Sequence, residues 1–536
     1  MQEVVVMKPS EEKLYEKLSP FELKDKLIKI AKTHHERMML NAGRGNPNWV
    51  AVTPRSGFFQ LGLFALEESL RVVDLPAIGG APEKGGITDR FGKFVAKNSN
   101  VPGVSFLNNA MRYVRDVLNI DTDEFVFEMV DGIVGDHYPE PDRMLINCEK
   151  IVHKYLEQEM FGGNHPGKFD LFATEGGTAA MDYIFTSLME NRLLHKRDKI
   201  AIGTPIFTPY IEIPRLSDFK FVELKIEQGE GLYWQYPDSE IAKLVDPSVK
   251  AFFLVHPSNP TSVAMQGSTM DTIAEIVRTK RKDLIILTDD VYGTFVNGFR
   301  SLAAVAPHNT ILVYSFSKYF GATGWRLGVI GIHKDNVFDK MIAALPDRDK
   351  KVLHDRYSTV VLNPDKMKLV DRMVADSRSV ALHHTAGLST PQQVLMALFA
   401  LYCLLDEKDE YKKVAQYIVR HRFKTLYDAI GIPCPENSYD AHYYTTIDIP
   451  ELARTRYGKE FANYLVKNYE PIDFVVKLSE SKSVVLMDGG GFDAPNMSVR
   501  VSLANLSNNT YEAIGRGISE LLAEYYQKWE LAKKKK

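Results

Sequence analysis

Residues 314–328, YSFSKYFGATGWRLG, concentrate the side chains best suited to chemistry. Lys318 follows two small hydroxyl residues, Ser315 and Ser317, and Arg326 lies eight positions on among glycines. A lysine amine is the usual group for imine formation with a carbonyl compound. Hydroxyls and a guanidinium beside it suit a phosphate, which arginine can grip through two parallel N–H bonds. A surface-loop lysine would account for Lys318, but not for the hydroxyls, arginine and glycines around it.

Three further stretches sit at the ends of apolar runs. In ILTDDVYGTF (286–295), Asp289 and Asp290 close such a run, with Tyr292 close behind. A carboxylate there is costly unless paired. Asp289 therefore calls for a buried cationic partner, whereas Asp290 suits a helix cap. In SNPTS (258–262), Asn259 follows the run AFFLVHP. It can face a ligand at the carboxyl end of a strand or close an Asx turn before proline. TEGGTAAMDYIF (174–185) is a glycine turn leading into a helix with Ala180, Ile184 and Leu188 on one face. A helix N-terminus offers free N–H groups to an anion, although Gly-Gly turns also serve steric needs alone.

The elements that must position these residues follow from the pattern. Between about 131 and 350, short apolar runs (DLFAT, KIAIGTP, AFFLVHPSNP, DLIILTDDVY, TILVYSFSK, RLGVIGI) alternate with helical stretches. That rhythm predicts a parallel α/β sheet covered on both faces. Residues 11–40 read as an amphipathic helix through Leu14, Leu18, Leu23, Leu27 and Ile30, and NAGRGNPNW (41–49) as a loop. Residues 51–130 carry two helical patterns, around 61–70 and 107–118, separated by a glycine-rich stretch at 79–86. Long helices are expected near 391–430. The remainder mixes strands with a final helix over 511–531, as in a smaller α+β lobe.

Composition removes other classes. The net charge of −3, with no concentrated basic patch, argues against nucleic acid. The lysines at 533–536 read as a solvated tail. Cys148, Cys403 and Cys434 are too scattered for a zinc cluster or disulfide framework, which points to reduced thiols and a cytoplasmic location. The charged N-terminus is not a signal peptide, and no apolar stretch is long enough to span a membrane. His383 and His384 lack a third ligand nearby, so no metal is expected.

In order and spacing, these pieces resemble the fold-type I pyridoxal-phosphate enzymes of the aspartate aminotransferase superfamily, over roughly residues 41–50 and 138–505. The most specific motif is SFSKxxGxxGxRxG. The resemblance implies an α/β fold: a large domain with a mostly parallel seven-stranded sheet and a smaller α+β domain. It divides the chain into an N-terminal segment and substrate loop (1–50), a helical insertion (51–130), the cofactor domain (131–414) and the small domain (415–536). It makes Lys318 the imine-forming lysine and proton-transfer base, with Asp289 on the pyridinium nitrogen and Asn259 and Tyr292 on the ring oxygen. Gly177, Thr178, Ser315, Ser317 and Arg326 then hold the phosphate, and Phe207 stacks on the ring. Tyr138, in HYPEPD, reaches the phosphate of a neighbouring subunit's cofactor, and Arg500, in MSVRVSLA, clamps the substrate α-carboxylate. These residue types suit the cofactor, whose ring is an electron sink that a buried carboxylate strengthens by favouring the protonated ring nitrogen.

Three departures narrow the reaction: the insertion at 51–130, the arginine in GRGNPNW, and LHHTAGLSTPQ (382–392), where no clear distal-carboxylate arginine stands. Together they resemble the aspartate 4-decarboxylases, which convert L-aspartate to L-alanine and CO2 with transamination as a side activity. The resemblance implies homodimers with shared active sites, assembled into a dodecamer. Decarboxylation needs the distal carboxylate oriented but not strongly neutralised, because an ion pair would stabilise the ground state more than departing CO2. Arg44, Thr385 and Lys24 are the candidates at that end, and Gly45 of the substrate loop is expected to bind substrate as well. An interface arginine and a solvated helix face are the competing explanations for Arg44 and Lys24. An aspartate or broad-range aminotransferase shares every motif around Lys318. A regulatory protein that binds the cofactor would need a DNA-binding module for which residues 1–50 are too short.

Overall fold

The structure, a computed structural model, describes residues 9–33, 38–73, 75–207, 209–216, 219–225, 233–378, 387–435 and 437–534. Near the N-terminus lies the short strand β1 (Leu40–Asn41). The central sheet holds β2 (Phe169–Thr174), β3 (Lys199–Thr204), β4 (Lys220–Lys225), β5 (Val249–Val255), β6 (Ile285–Asp289), β7 (Thr310–Ser315) and β8 (Gly328–His333). Its spatial order is β2-β8-β7-β6-β5-β3-β4. All neighbouring pairs are parallel except those of β8, which runs antiparallel to β2 and β7. The expected mostly parallel, seven-stranded sheet is therefore present. Strands β5, β6 and β7 are buried almost throughout, as strands covered on both faces must be. The sequence missed β4: it is a largely solvent-facing edge strand, so no apolar run marks it.

Helices Ile146–Met160, Gly177–Glu190 and Thr390–Leu404 share the main core with the sheet. Thr390–Leu404 is buried nearly all round, as a helix apolar on every side must be. The region 51–130 forms four helices, not two: Val52–Val72, Ile87–Lys97, Val104–Asp116 and Thr122–Val134. The second starts directly after the glycine-rich stretch and buries just Ile87, Phe91 and Phe94 among charged residues. The fourth is set by Asp121, whose side chain accepts from Glu124 N, and ends at Gly135 in the left-handed conformation. Phe64, Phe91, Leu107 and Val130 carry these helices into the main core.

A second core joins the two ends of the chain. It includes Leu23 and Leu27 with Phe423, Leu426, Val499 and Ile518. The single helix expected over 11–40 is two, Pro9–Tyr15 and Pro20–Lys32. Pro20 cannot continue a helix but starts one well, and Ser19 with Glu22 completes a capping box. Around this core β9 (Tyr444–Asp448), β11 (Met487–Asp488) and β12 (Ser498–Ser502) form an antiparallel sheet, and β10 (Val484–Val485) pairs with β1. The final helix spans Asn508–Lys534. Among the described residues, no helix is long and apolar enough to cross a membrane.

Candidate active site

The carboxyl ends of β5, β6 and β7 open into a cavity of about 370 Å³. Its floor carries Asn259, Asp289, Tyr292, Ser315, Ser317 and Lys318; residues 43–46, Phe21, Lys24, Tyr444 and Arg500 close it from the side of the second core. Ligand sites of open α/β sheets lie at such strand ends.

Asp289 ends β6 and is buried. One carboxylate oxygen accepts the Tyr210 hydroxyl at 2.7 Å and the other the Val291 amide at 3.2 Å. Burial still pushes its carboxyl up to about 6, against the opposing pull of those two bonds and of Lys318. A cation in the cavity would relieve that cost. Asp290 does not cap a helix, contrary to the sequence expectation. It turns into the core, where Thr288 and Ser301 bond it and burial pushes it up to about 8. Burial raises Asp290 further than Asp289, which makes Asp289 the more readily ionised of the two.

Lys318 Nζ donates to the Gly45 carbonyl at 3.1 Å, across 273 residues of chain. The Tyr443 hydroxyl donates to the same carbonyl at 2.8 Å. Asn259 Nδ2 donates to the Tyr292 hydroxyl at 3.4 Å, which in turn donates to the Tyr444 hydroxyl at 3.1 Å.

At one end of the cavity, Gly177 and Thr178 begin the helix Gly177–Glu190. Ser315 Oγ donates to Ser317 Oγ at 2.9 Å. Arg326 has left-handed backbone (φ 55°) and donates to the Thr323 carbonyl at 3.0 Å. Its guanidinium lies against Gly176, where any β-carbon would collide with it. Hydroxyls, amides and a guanidinium therefore converge there as an anion cradle.

At the other end, Arg500 of β12 is 3% exposed. Its guanidinium donates to Asn259 Oδ1 at 3.2 Å and to the Gly43 carbonyl at 2.9 Å. Nε is buried and has no hydrogen-bond partner among the described residues. The plane stacks on Tyr444 (4.3 Å) and Phe492 (4.8 Å). Burial lowers its pKa from the ordinary arginine value, and the surrounding tyrosines offset this. A buried cation of this kind is matched by a carboxylate ligand. Lys24 and Arg44 line the same cavity; Arg44 is exposed, while the Lys24 side chain is largely covered and lies 3.4 Å from Asp25. The solvated helix face considered for Lys24 is thus not its surroundings.

The residues present fit pyridoxal phosphate. A buried carboxylate short of a cation stands opposite a lysine amine, an anion cradle flanks it, and a partnerless guanidinium nitrogen lies beyond. Of the residues singled out in the sequence, Lys318, Gly177, Thr178, Phe207, Asn259, Asp289, Tyr292, Ser315, Ser317, Arg326, Arg500, Gly45, Arg44 and Lys24 all line this cavity. Tyr138 is exposed outside its lining. Thr385, like His383 and His384, lies outside the described residues. Sequence reasoning missed Phe21, Tyr210 and Tyr444. Among the described residues, the one trio of side chains close enough to share a metal ion, Asp131, Asp136 and His137, is not part of the cavity.

Residues 171–518 match the family model described as Aminotransferase class I and II. A protein from Pseudomonas sp, the "Bifunctional aspartate aminotransferase and L-aspartate beta-decarboxylase", is 50% identical over 516 residues, 96% of this chain and 97% of its own. Among solved structures, Pyrococcus protein-A1 superposes with a TM-score of 0.59 at 18% identity, covering 96% of this chain and 99% of that one. The aromatic aminotransferase from Pyrococcus horikoshii OT3 gives 0.57 at 17% identity, covering 92% and 99%. At such identities these two speak for the fold alone.

Proposed function

The chain belongs to the class I and II aminotransferase family, and on that premise we propose that it is a pyridoxal-phosphate enzyme removing the β-carboxylate of L-aspartate. The products are L-alanine and CO2, with aspartate transamination as a side activity. The observation that carries this reading is the cavity's pair of unequal cationic ends. Arg500 is a rigid, buried fork with an open Nε, whereas Arg44 is exposed and Lys24 is a flexible amine.

When bound, pyridoxal phosphate supplies an electron sink for charge developing on the substrate carbons. Asp289, as the anion, would hold the ring nitrogen protonated; Asn259 and Tyr292 would bond the ring oxygen, with Phe207 against the ring face. Gly177, Thr178, Ser315, Ser317 and Arg326 would hold the phosphate. Lys318 would hold the cofactor through Nζ, and its free amine would move the proton at Cα. Arg500 grips the α-carboxylate and fixes the Cα–H bond toward Lys318, beside Gly45. Arg44, Lys24 and Thr385 orient the β-carboxylate without burying it in a strong ion pair, so its electrons stay available as CO2 leaves. A proton replaces CO2 at Cβ, and the balance is aspartate plus one proton giving alanine plus CO2.

The test is incubation of the cofactor-loaded enzyme with aspartate and no keto acid. Sustained, equimolar alanine and CO2 are expected. A single half-turnover to oxaloacetate would sink the decarboxylase reading and leave an aminotransferase.

The same reading includes a cytoplasmic homodimer, with Tyr138 reaching its partner's site, built into a dodecamer through residues 51–130. It is supported by an apolar stripe on Val52–Val72, where Phe59, Leu63, Leu66 and Leu70 are each about half exposed on the face opposite the core. Replacing both Leu63 and Leu66 by glutamate should reduce the mass in solution from twelve subunits to two. An unchanged mass overturns that assignment of the insertion.

A further inference from the structure

We propose that Tyr444 is a positioning residue that ties the ring-oxygen donor Tyr292 to the carboxylate clamp Arg500. The inference rests on the reading above of Tyr292 and Arg500, and extends it to a residue that reading leaves without a role.

Tyr444 begins β9 and pairs with Ser502 of β12, while Arg500 pairs with Thr446 two positions along. Directly opposed residues share a sheet face, as do alternate residues of a strand. Tyr444 and Arg500 therefore project from the same face into the cavity. The guanidinium lies 4.3 Å from the centroid of the Tyr444 ring, within cation–π range. The hydroxyl at the far end of that ring is 3.1 Å from the Tyr292 hydroxyl. Among the described residues, that is the only hydrogen-bond partner of the Tyr444 hydroxyl. Tyr444 is 2% exposed and Tyr292 3%, so the contact is shielded from bulk solvent. Room for the hydroxyl comes from Gly45, where any β-carbon would run into it.

Two phenols hold two protons, and one O–H···O bond between them uses one. In the cavity as it stands, Tyr292 donates to Tyr444. Hydroxyls rotate to suit their partners. When a ring oxygen takes the Tyr292 proton, the Tyr292 oxygen is freed to accept from Tyr444. Tyr444 then donates to Tyr292 and strengthens its onward donation, as hydrogen bonds in series do. Better donation favours negative charge on the ring oxygen, so a proton shared with the Lys318 nitrogen is released at lower pH. Arg500 and Tyr443 act on this pair directly, and Lys318, Asp289, Tyr210, Lys24, Arg44 and Arg326 line the same cavity; phenylalanine at 444 leaves all of them in place. The ring acts separately, as the platform that keeps the Arg500 plane in position for a carboxylate.

The experiment compares Tyr444→Phe, Tyr444→Leu and Tyr292→Phe in the cofactor-loaded enzyme. It reads the pH midpoint of the bound cofactor's absorption change, together with KM and kcat for aspartate. Tyr444→Phe should raise the midpoint by roughly half to one pH unit, the worth of one neutral hydrogen bond, and leave KM near the starting value. Tyr444→Leu should raise the midpoint similarly and also raise KM about 3- to 10-fold as the cation–π platform is lost. A midpoint unmoved by Tyr444→Phe while Tyr292→Phe moves it overturns the role of Tyr444 and leaves Tyr292 as the ring-oxygen donor. A midpoint unmoved by Tyr292→Phe overturns the underlying assignment of Tyr292, and the inference with it. Equal KM increases in Tyr444→Phe and Tyr444→Leu would exclude the separate part assigned to the ring.

Discussion

Substituting Lys318 with alanine should lower kcat for alanine formation by on the order of 10⁴-fold or more, because one change removes two functions. The variant loses the nitrogen that bonds the cofactor and the base that moves the Cα proton. Lys318 Nζ is held by the Gly45 carbonyl, which Tyr443 also bonds, so no second amine is placed to substitute for it. Lys24, the other lysine of the cavity, stands on the far helix beside Phe21. Lys318→Arg should be as inactive as Lys318→Ala, since a guanidinium stays protonated at any working pH and cannot act as base. Borohydride reduction followed by peptide mass analysis checks the covalent part: the unaltered enzyme should carry the cofactor at position 318, the variants nowhere. A variant retaining even a tenth of the original rate would refute both roles.

The second large effect belongs to Arg500. Truncating one member of a buried, hydrogen-bonded charge pair costs about 2–5 kcal/mol, so Arg500→Ala should reduce kcat/KM for aspartate by roughly 30- to 4000-fold. Arg500→Lys should recover little, because an ammonium cannot reproduce the planar fork or the stacking between Tyr444 and Phe492. The variant also loses the bonds to Asn259 and Gly43, so cofactor absorbance must be compared alongside. A normal spectrum with a raised KM is the expected pair of results. Unchanged kcat/KM would show that the α-carboxylate binds elsewhere.

Much of the site was legible because a parallel strand is an apolar run that stops where its ligand-facing residues begin. Asn259, Asp289, Ser315 and Lys318 are all found directly after such runs, and the sheet gathers them without further information. Arg500 and the 43–46 loop needed the resemblance, since nothing in their local pattern brings them to the sheet. Tyr210 and Tyr444 had no such signal. Tyr210 stands in a short helix, and Tyr444 is one of two adjacent tyrosines in a strand whose buried face the sequence does not reveal. In the helical region, glycines at 79–86 hid the start of Ile87–Lys97, and the break at Pro20 was read through as one helix. The β4 edge was lost because solvent-facing strands lack the apolar signature on which strand recognition depends.

The bond from Arg500 to the Gly43 carbonyl spans 457 residues, and β1 pairs with β10 across a comparable stretch. This closure has a consequence for biosynthesis. At about 5–20 residues per second, the loop that completes the cavity leaves the ribosome roughly half a minute ahead of the arginine it must meet, and longer at the slower rate. Until the segment from Phe423 onward follows, Leu23 and Leu27 have no partner from the far end of the chain, and the N-terminal segment is an exposed amphipathic arm. Nascent chains stalled before residue 420 should therefore hold a folded sheet domain with a protease-sensitive N-terminal segment, and acquire resistance there when translation finishes.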